Sequence, residues 1–523
     1  MDFSICVLGI ELGSTRIKGV LIDENHQVIA SGSYGWENKL ENGVWTYELA
    51  DAVKGVQACF AELKADAEKK FGQPLKKVAA IGVSGMMHGY LAFDKEGKQI
   101  APFRTWRNTI TAPAAGELTE LFRFNIPQRW SIAHLYQAIL NKEARVDEIT
   151  RLPTLSGYIH TLLTGEFATG IDEASGMFPY DDAIGDFDAE RVAKFDALVA
   201  PYGFPWKRRD ILPKVYPAGA CAGKLTEEGA KLLDVSGTLE AGIPMCPPEG
   251  DAGTGMVATG AVHPRTGSIS AGTSAFSLQV LERPLKGYYP QIDVCCTPGG
   301  KTVAMAHCNN CTSDFDAWVG LLADAAKVLG AEVDKNELYG RLFRAALEGD
   351  PDCCGIVSLH YLAGEPLTET EVGRPMVVRL PGAKMNVANF MRAQLNAAIA
   401  TLAYGMQMLK DKEQVERDML LGHGGFFKTP VVGQQILANA LNVPITTMET
   451  AGEGGPWGMA LLAAYMVRKS EGETMEDYLK NKVFADAKSV SVDPDPAGVA
   501  GFEVYLERYK AVLAAEKAAA AMQ

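Results

Sequence analysis

The stretch Cys6–Ser33, CVLGIELGSTRIKGVLIDENHQVIASGS, decides how the chain is read. An apolar run ends at Gly13-Ser14-Thr15, a second run follows, and a third begins after Asp23-Glu24-Asn25. Apolar runs bounded by turn residues predict strands, and a Gly-Ser-Thr link predicts a tight hairpin. Its tip carries small residues and hydroxyls, with one acid, Glu11, just before it. Backbone N–H groups in such turns form anion-binding nests, and small side chains let phosphate oxygens come close.

Working outward, ELADAVKGVQACFAELKADAEKKF puts Leu49, Val53, Val56, Phe60 and Leu63 on one helical face. KVAAIGVSGMMHGYLAFDKEGKQI reads as a buried strand, a Gly-rich loop and a hairpin turning at Glu96-Gly97. Near residue 250, GIPMCPPEGDAGTGMVATGAVHPRTGSISAGTSAFSLQV gathers Pro and Gly around Asp251. The strand, Gly-hydroxyl loop, strand pattern then returns as SISAGTSAFSLQV, a faint echo of the opening hairpin. Two similar halves meeting at a Gly-rich joint predict a cleft with a phosphate loop on each wall. The second half adds a long helix, ANFMRAQLNAAIATLAYGMQMLK, and two Gly-rich turns, in LLGHGGFFKTPVVGQQILANAL and ETAGEGGPWGMALLAAYMV. In the tail, Tyr505, Leu506, Tyr509, Val512 and Leu513 share a face and predict a packed helix.

A chain of 523 residues exceeds what one core usually supports, so two large α/β domains are expected. With 47% hydrophobic and 22% charged residues it reads as globular. The net charge of −14 argues against a nucleic-acid surface. No apolar run approaches the roughly 20 residues of a membrane helix. MDFSICVLGI opens with an acid and lacks a basic region, so a cytoplasmic location is expected. Ten cysteines are sparse for this length and suggest reduced thiols. Cys308-Asn309-Asn310-Cys311, with Cys295-Cys296 upstream and His307 alongside, lacks regular zinc spacing and reads as buried apolar cysteine.

Common nucleotide and hydrolase motifs are absent. Lys428-Thr429 follows Phe427 where a Walker A loop needs Gly, and Pro430 comes next. GDAGTG and GHGG fail the dinucleotide fingerprint. Around Ser84, GVSGM has Met86 where a nucleophile elbow needs Gly, which weakens a serine hydrolase reading.

Seven segments nonetheless occur in a familiar order: GIELGSTRIKGVLID, GVSGMMHGYLAFD, GDAGTGMVATGAV, SISAGTSAF, YLAGEPLTE, RAQLNAAIATLAYGM and GHGGFFKTP…GEGGPWGMALLA. Their order and separations resemble those of FGGY-family carbohydrate kinases, nearest in motif to xylulokinases and ribulokinases, across nearly the whole chain. The resemblance implies the two-domain α/β fold of the actin and hexokinase superfamily, ribonuclease H-like, with a five-stranded mixed sheet in each domain and a cleft between them. It implies a sugar-binding domain over residues 1–256 and an ATP-binding domain over 257–523.

By the same resemblance, Gly13, Ser14 and Thr15 match the first phosphate loop, and Gly272, Thr273 and Ser274 the second. Gly424 and Gly425 match glycines lying against adenosine. Asp251 matches the catalytic base that takes the proton of the attacking sugar hydroxyl. Glu11 stands where the family usually has Asp to orient Mg²⁺, one methylene longer. Met87, His88 and Gly89 match a Met-His-Gly that lines the sugar pocket of xylulokinases. FRTWRNT, with Trp106 and Asn108, matches a Trp-Asn-Asp segment but lacks its acid, and Ala252 replaces a frequent Asn.

These departures leave the sugar open between D-xylulose and L-ribulose. The expectation is an ATP- and Mg²⁺-dependent kinase acting on a terminal hydroxyl of a ketopentose. A kinase of another polyol or sugar acid, or a non-catalytic sensor on the same fold, is the alternative. The expected partners are a small sugar and ATP, without nucleic acid or membrane. The apolar C-terminal helices suit a homodimer interface or the core equally well.

Overall fold

The opening hairpin forms as its sequence predicts. Strands β1 (Val7–Leu12) and β2 (Arg16–Ile22) run antiparallel, with Leu12 opposite Ile17 at the Gly-Ser-Thr turn. The computed structural model describes residues 1–448 and 454–522. Gly452 and Glu453, in the last of the seven motifs, lie outside the described residues. The chain divides into two units, one of Met1–Val262, Tyr288–Val303 and Gly452–Ala487, the other of His263–Gly287, Ala304–Ala451 and Lys488–Gln523.

In the first unit β3 (Val28–Gly35), β4 (Ala80–Gly85) and β5 (Glu249–Gly250) complete a mixed five-stranded sheet in the order β5-β4-β1-β2-β3. Strands β1 and β4 are buried almost throughout, which explains their near-continuous apolar runs. The helix Leu49–Phe71 buries Val56, Phe60 and Leu63 against this sheet, with Leu49 and Val53 partly covered. A Cβ at Gly32 of β3 would overlap the Cys59 carbonyl, so the helix backbone comes down directly on the strand. A second core gathers Phe122, Trp130, Phe178, Phe187 and Phe195, aside from the sheet.

The sheet also takes a helix from far along the chain, Gly454–Arg468. A Cβ at Gly9 of β1 would overlap Pro456 O and lie 2.5 Å from Ala460 N. One at Gly82 of β4 would lie 2.7 Å from the end of the Met459 side chain. One at Gly458 would overlap the Thr254 carbonyl in the helix Asp251–Thr259. Glycines therefore set the spacing between β1 and the two helices that start beside the site.

The second unit echoes the first. Strand β6 (Thr266–Ala271) enters Gly272-Thr273-Ser274 and pairs antiparallel with β7 (Ala275–Val280), Ala271 opposite Ala275. With β8 (Thr302–Cys308), β9 (Met419–His423), β10 (Ile445–Met448) and β11 (Ser489–Val492), they form six strands of a seven-stranded sheet, in the order β8-β7-β6-β9-β10-β11. In each unit the strand entering the Gly-hydroxyl turn also has a parallel neighbour, β4 for β1 and β9 for β6. With seven strands, antiparallel β11 at one edge, the sheet exceeds the five-stranded expectation. The long helix Val387–Glu413 is buried along most of its length, and the tail helix Pro496–Ala519 buries Tyr505, Leu506 and Tyr509.

Among the described residues no helix is long and apolar enough to cross a membrane. Replacing Gly458 by Val forces its helix away from Thr254, at a cost of about 2 kcal/mol or more. Urea unfolding is expected to show a lower midpoint for Gly458→Val, whereas Gly425→Ala, which meets open space, leaves it unchanged.

Candidate active site

Glu11 lies near the end of β1, beside Lys18 on β2 and Ser84 on β4. Its half-buried carboxyl presses on the first turn of the helix Gly454–Arg468, where a Cβ at Gly455 would overlap Oε2. Burial, and then the neighbouring Asp251, push this carboxyl up to about 8. Lys18 and a hydrogen bond with the Thr254 hydroxyl act the other way. Asp251 is the first residue of the helix Asp251–Thr259, after Gly250 at the N-cap. Its side chain reaches solvent, yet the dense protein around it raises the carboxyl above the ordinary carboxylate range. The Met87 N–H, donating to Oδ1 at 3.3 Å, partly offsets that rise.

Met87, His88 and Gly89 form the loop leaving β4, and two of them have positive φ, His88 at 72° and Gly89 at 90°. A Cβ at Gly89 would lie 2.5 Å from the Arg104 carbonyl. The His88 conformation costs about 1 kcal/mol and is held by packing on all sides. Its Nδ1 is 3.0 Å from the Gly176 carbonyl, which only accepts, so Nδ1 carries the proton and Nε2 is left as an acceptor. Burial, then Arg129, pushes His88 down to about 3, and its ring stacks on Trp130 at 6.2 Å. Glu11, Asp251 and the Met87-His88-Gly89 loop thus meet in the first unit.

The Gly13-Ser14-Thr15 turn is gripped by aromatic donors. Trp36 Nε1 donates to Gly13 O at 2.7 Å, Tyr47 Oη to Ser14 O at 2.5 Å, and Trp106 Nε1 to Ser14 Oγ at 3.1 Å. With those carbonyls occupied, the turn keeps its small side chains and hydroxyls outward. Trp106 is 41% exposed and joins the first loop directly. Asn108 is spent on the backbone of Trp45 and Thr105 and serves the fold.

In the second unit the Gly272 carbonyl accepts from Thr312 N and Oγ1, at 2.9 and 2.7 Å. The Thr273 carbonyl accepts from Cys311 N and Ser313 Oγ, both at 3.0 Å. Gly424, at φ 103°, sits so near this loop that a Cβ would lie 2.5 Å from Ala271 O. Gly272, Thr273, Ser274, Gly424 and Gly425 therefore cluster within the second unit. Cys308 and Cys311 are buried free thiols there, as are Cys295 and Cys296 in the first unit. Among the described residues no group of His, Cys, Asp or Glu has the arrangement of a preformed metal site.

Sequence reasoning passed over three acids directly behind Asp251. Asp172, Glu173 and Glu249 are all essentially inaccessible. Burial raises each of them, Asp172 to about 7, and the others well above the carboxylate range. Glu249 lies two residues before Asp251 and Asp172-Glu173 in FATGIDEAS, an acidic pair amid small and apolar residues, so a signal was present. Trp36 and Tyr47 were also missed, and nothing local marks them; Thr254 and Gly455 lie inside the GDAGTGMVATGAV and GEGGPWGMALLA motifs but were not singled out.

Sequence profiles of the FGGY family of carbohydrate kinases match this chain twice, the N-terminal domain over residues 6–257 and the C-terminal domain over 267–467. The xylulose kinase of Haemophilus influenzae is 21% identical over 514 residues, covering 96% of this chain and 98% of that one. The structure of xylulose kinase from Rhodospirillum rubrum superposes with a TM-score of 0.78 at 21% identity, covering 98% of each chain. That of gluconate kinase from Lactobacillus acidophilus does so with 0.76 at 18% identity, covering 99% of this chain and 98% of the other. The fold is accordingly the two-domain α/β fold of the actin and hexokinase type, and the chain belongs to the FGGY family of carbohydrate kinases.

Proposed function

We propose that this chain transfers the γ-phosphoryl group of ATP to a terminal primary hydroxyl of a ketopentose, D-xylulose or L-ribulose. The observation that carries the reading is Asp251, at a helix start, bonded to the Met87 N–H and set beside Glu11 and His88's loop. Sugar is assigned to residues 1–256 and nucleotide to 257–523.

Asp251 takes the hydroxyl proton as the sugar oxygen bonds to the γ-phosphorus; the bond to the β-phosphate oxygen breaks and ADP leaves. His88, neutral with Nε2 as acceptor, receives a hydrogen bond from a second sugar hydroxyl. Gly89 lets the sugar-binding loop pass close to the Arg104 backbone, and Met87 supplies an apolar wall. Because the Trp106 indole only donates, Ser14 Oγ accepts from it and keeps its own proton for a phosphate oxygen. Gly13 and Thr15 in the first unit are assigned to one phosphate loop, Gly272, Thr273 and Ser274 in the second unit to another, and Gly424 and Gly425 to the adenosine.

Glu11 fits a divalent cation: it offers hard oxygen donors beside a second carboxylate, and a cation would offset the burial and the Asp251 charge that keep its proton on. Glu11 would hold Mg²⁺, directly or through water, where the ion offsets charge on the phosphates. The match to xylulose kinases supports the ketopentose, and the match to a gluconate kinase structure keeps a sugar acid in the test.

The test is ADP release with Mg-ATP across D-xylulose, L-xylulose, D-ribulose, L-ribulose, L-fuculose, gluconate and glycerol. One strongly preferred ketopentose is expected; preference for gluconate would move the substrate to sugar acids, and silence from folded protein would favour a sensor. Asp251→Asn is expected to lower kcat at least ~10²-fold with sugar and ATP binding within a few-fold. The base works ionised and its carboxyl is raised, so kcat/KM falls as pH drops, with an acid limb above the ordinary Asp value. Glu11→Gln should raise the Mg²⁺ concentration for half-maximal activity by about tenfold or more.

A further inference from the structure

Helices that begin with glycine at the N-cap have no side chain of their own to accept the first free N–H groups. Both Asp251–Thr259, after Gly250, and the short helix Ile171–Ser175, after Gly170, start in this way. Asp172, from the short helix, supplies the missing acceptor to the other. Its Oδ2 accepts from Gly250 N and from Gly253 N, each at 3.0 Å. These two N–H groups flank Asp251 on either side. The service is returned: Glu249, just before Gly250, accepts from Glu173 N in the short helix at 3.4 Å.

The glycines leave room for this exchange. A Cβ at Gly250 would lie 2.7 Å from both Asp172 Oδ2 and Glu173 Oε2, and one at Gly253 would lie 2.5 Å from the Asp172 carboxyl. A Cβ at Gly170 would overlap the Glu249 carboxyl. Neither helix start can accommodate an ordinary capping side chain, so each depends on the other's acid. Glu173 is tied separately, accepting from the Ser156 hydroxyl at 3.1 Å.

We propose that Asp172 is a positioning residue for Asp251: by capping its helix from a separate segment, it fixes the backbone on both sides of the residue that faces the sugar. This rests on the reading of Asp251 as the base. Nothing in Asp172 touches substrate; its carboxyl is fully buried behind the helix start. Its effect belongs to kcat more than to KM, because a base displaced by a fraction of an ångström still leaves the sugar's other contacts in place.

The test compares Asp172→Ala, Asp172→Asn and Asp251→Asn with the unaltered chain. Turnover is measured with the panel sugar that reacts fastest, and amide hydrogen exchange is followed across residues 249–256. Asp172→Ala is expected to lower kcat about tenfold or more with both KM values within about threefold, and to speed exchange at Gly250 and Gly253. Asp172→Asn, whose amide oxygen can accept the same two bonds, should recover most of both losses. A folded Ala variant with unchanged kcat and exchange overturns the proposal, as does an Asn variant as impaired as Ala. Should the Ala variant fail to fold, Asp172→Ser, whose hydroxyl is too short to span both amides, takes its place under the same criteria. If Asp251→Asn itself keeps full turnover, the base assignment fails, and the exchange data alone then decide whether Asp172 holds the helix start.

Discussion

At Gly9 no side chain fits between β1 and the helix Gly454–Arg468, and the arrangement of the site depends on that closeness. With Gly9 under Pro456 and Ala460, and Gly458 over Thr254, the strand and two helices form one tightly packed group. Glu11 lies near the end of the strand, Asp251 begins one helix, and Gly455 lies in the first turn of the other. Close packing of backbone on backbone is rigid because displacement in either direction costs either overlap or lost dispersion contacts. Two carboxylates are thereby held near each other despite their mutual repulsion, a strain that a cation or an anionic transition state's counter-charges can use.

The hairpin, the long helices, the echo between the halves and the two Gly-hydroxyl loops were all legible in the sequence. Each rests on local signals: turn residues bounding apolar runs, or apolar residues recurring on one helical face. The candidate site was legible only where its residues sit inside motifs, as Gly13-Ser14-Thr15, Met87-His88-Gly89 and Asp251 do. Trp36 and Tyr47 escaped notice because their role is a single hydrogen bond to a loop carbonyl, made across a fold that local pattern does not describe. Asn108 looked like part of the site and proves to be a backbone brace, since a buried Asn satisfies its amide wherever partners lie.

The buried acids show a different limit. A carboxylate in sequence is read as surface, because burying one without a partner is costly. Asp172, Glu173 and Glu249 are buried because backbone N–H groups at helix starts, and the Ser156 hydroxyl, meet some of their oxygens. Three glycines create that space. Glycines at 170, 250 and 253 and acids at 172, 173 and 249 are one feature, separated by most of eighty residues, and only the folded arrangement joins them.

The first unit draws its parts from three stretches of chain, and its sheet is covered by a helix that arrives roughly two hundred residues after Val262. At about 5–20 residues per second of synthesis, roughly 10–40 s pass between Val262 and the emergence of that helix, during which the completed sheet stays open on the β1 face. Until then the nascent chain holds an unclosed sheet whose strands β1 and β2 are rich in Val, Leu and Ile. Expression of residues 1–262 alone would meet the same gap permanently. Cutting the gene where the sheet's last strand ends would therefore yield an aggregation-prone fragment, whereas fusing the 452–487 segment after it would shorten the loop and close the face.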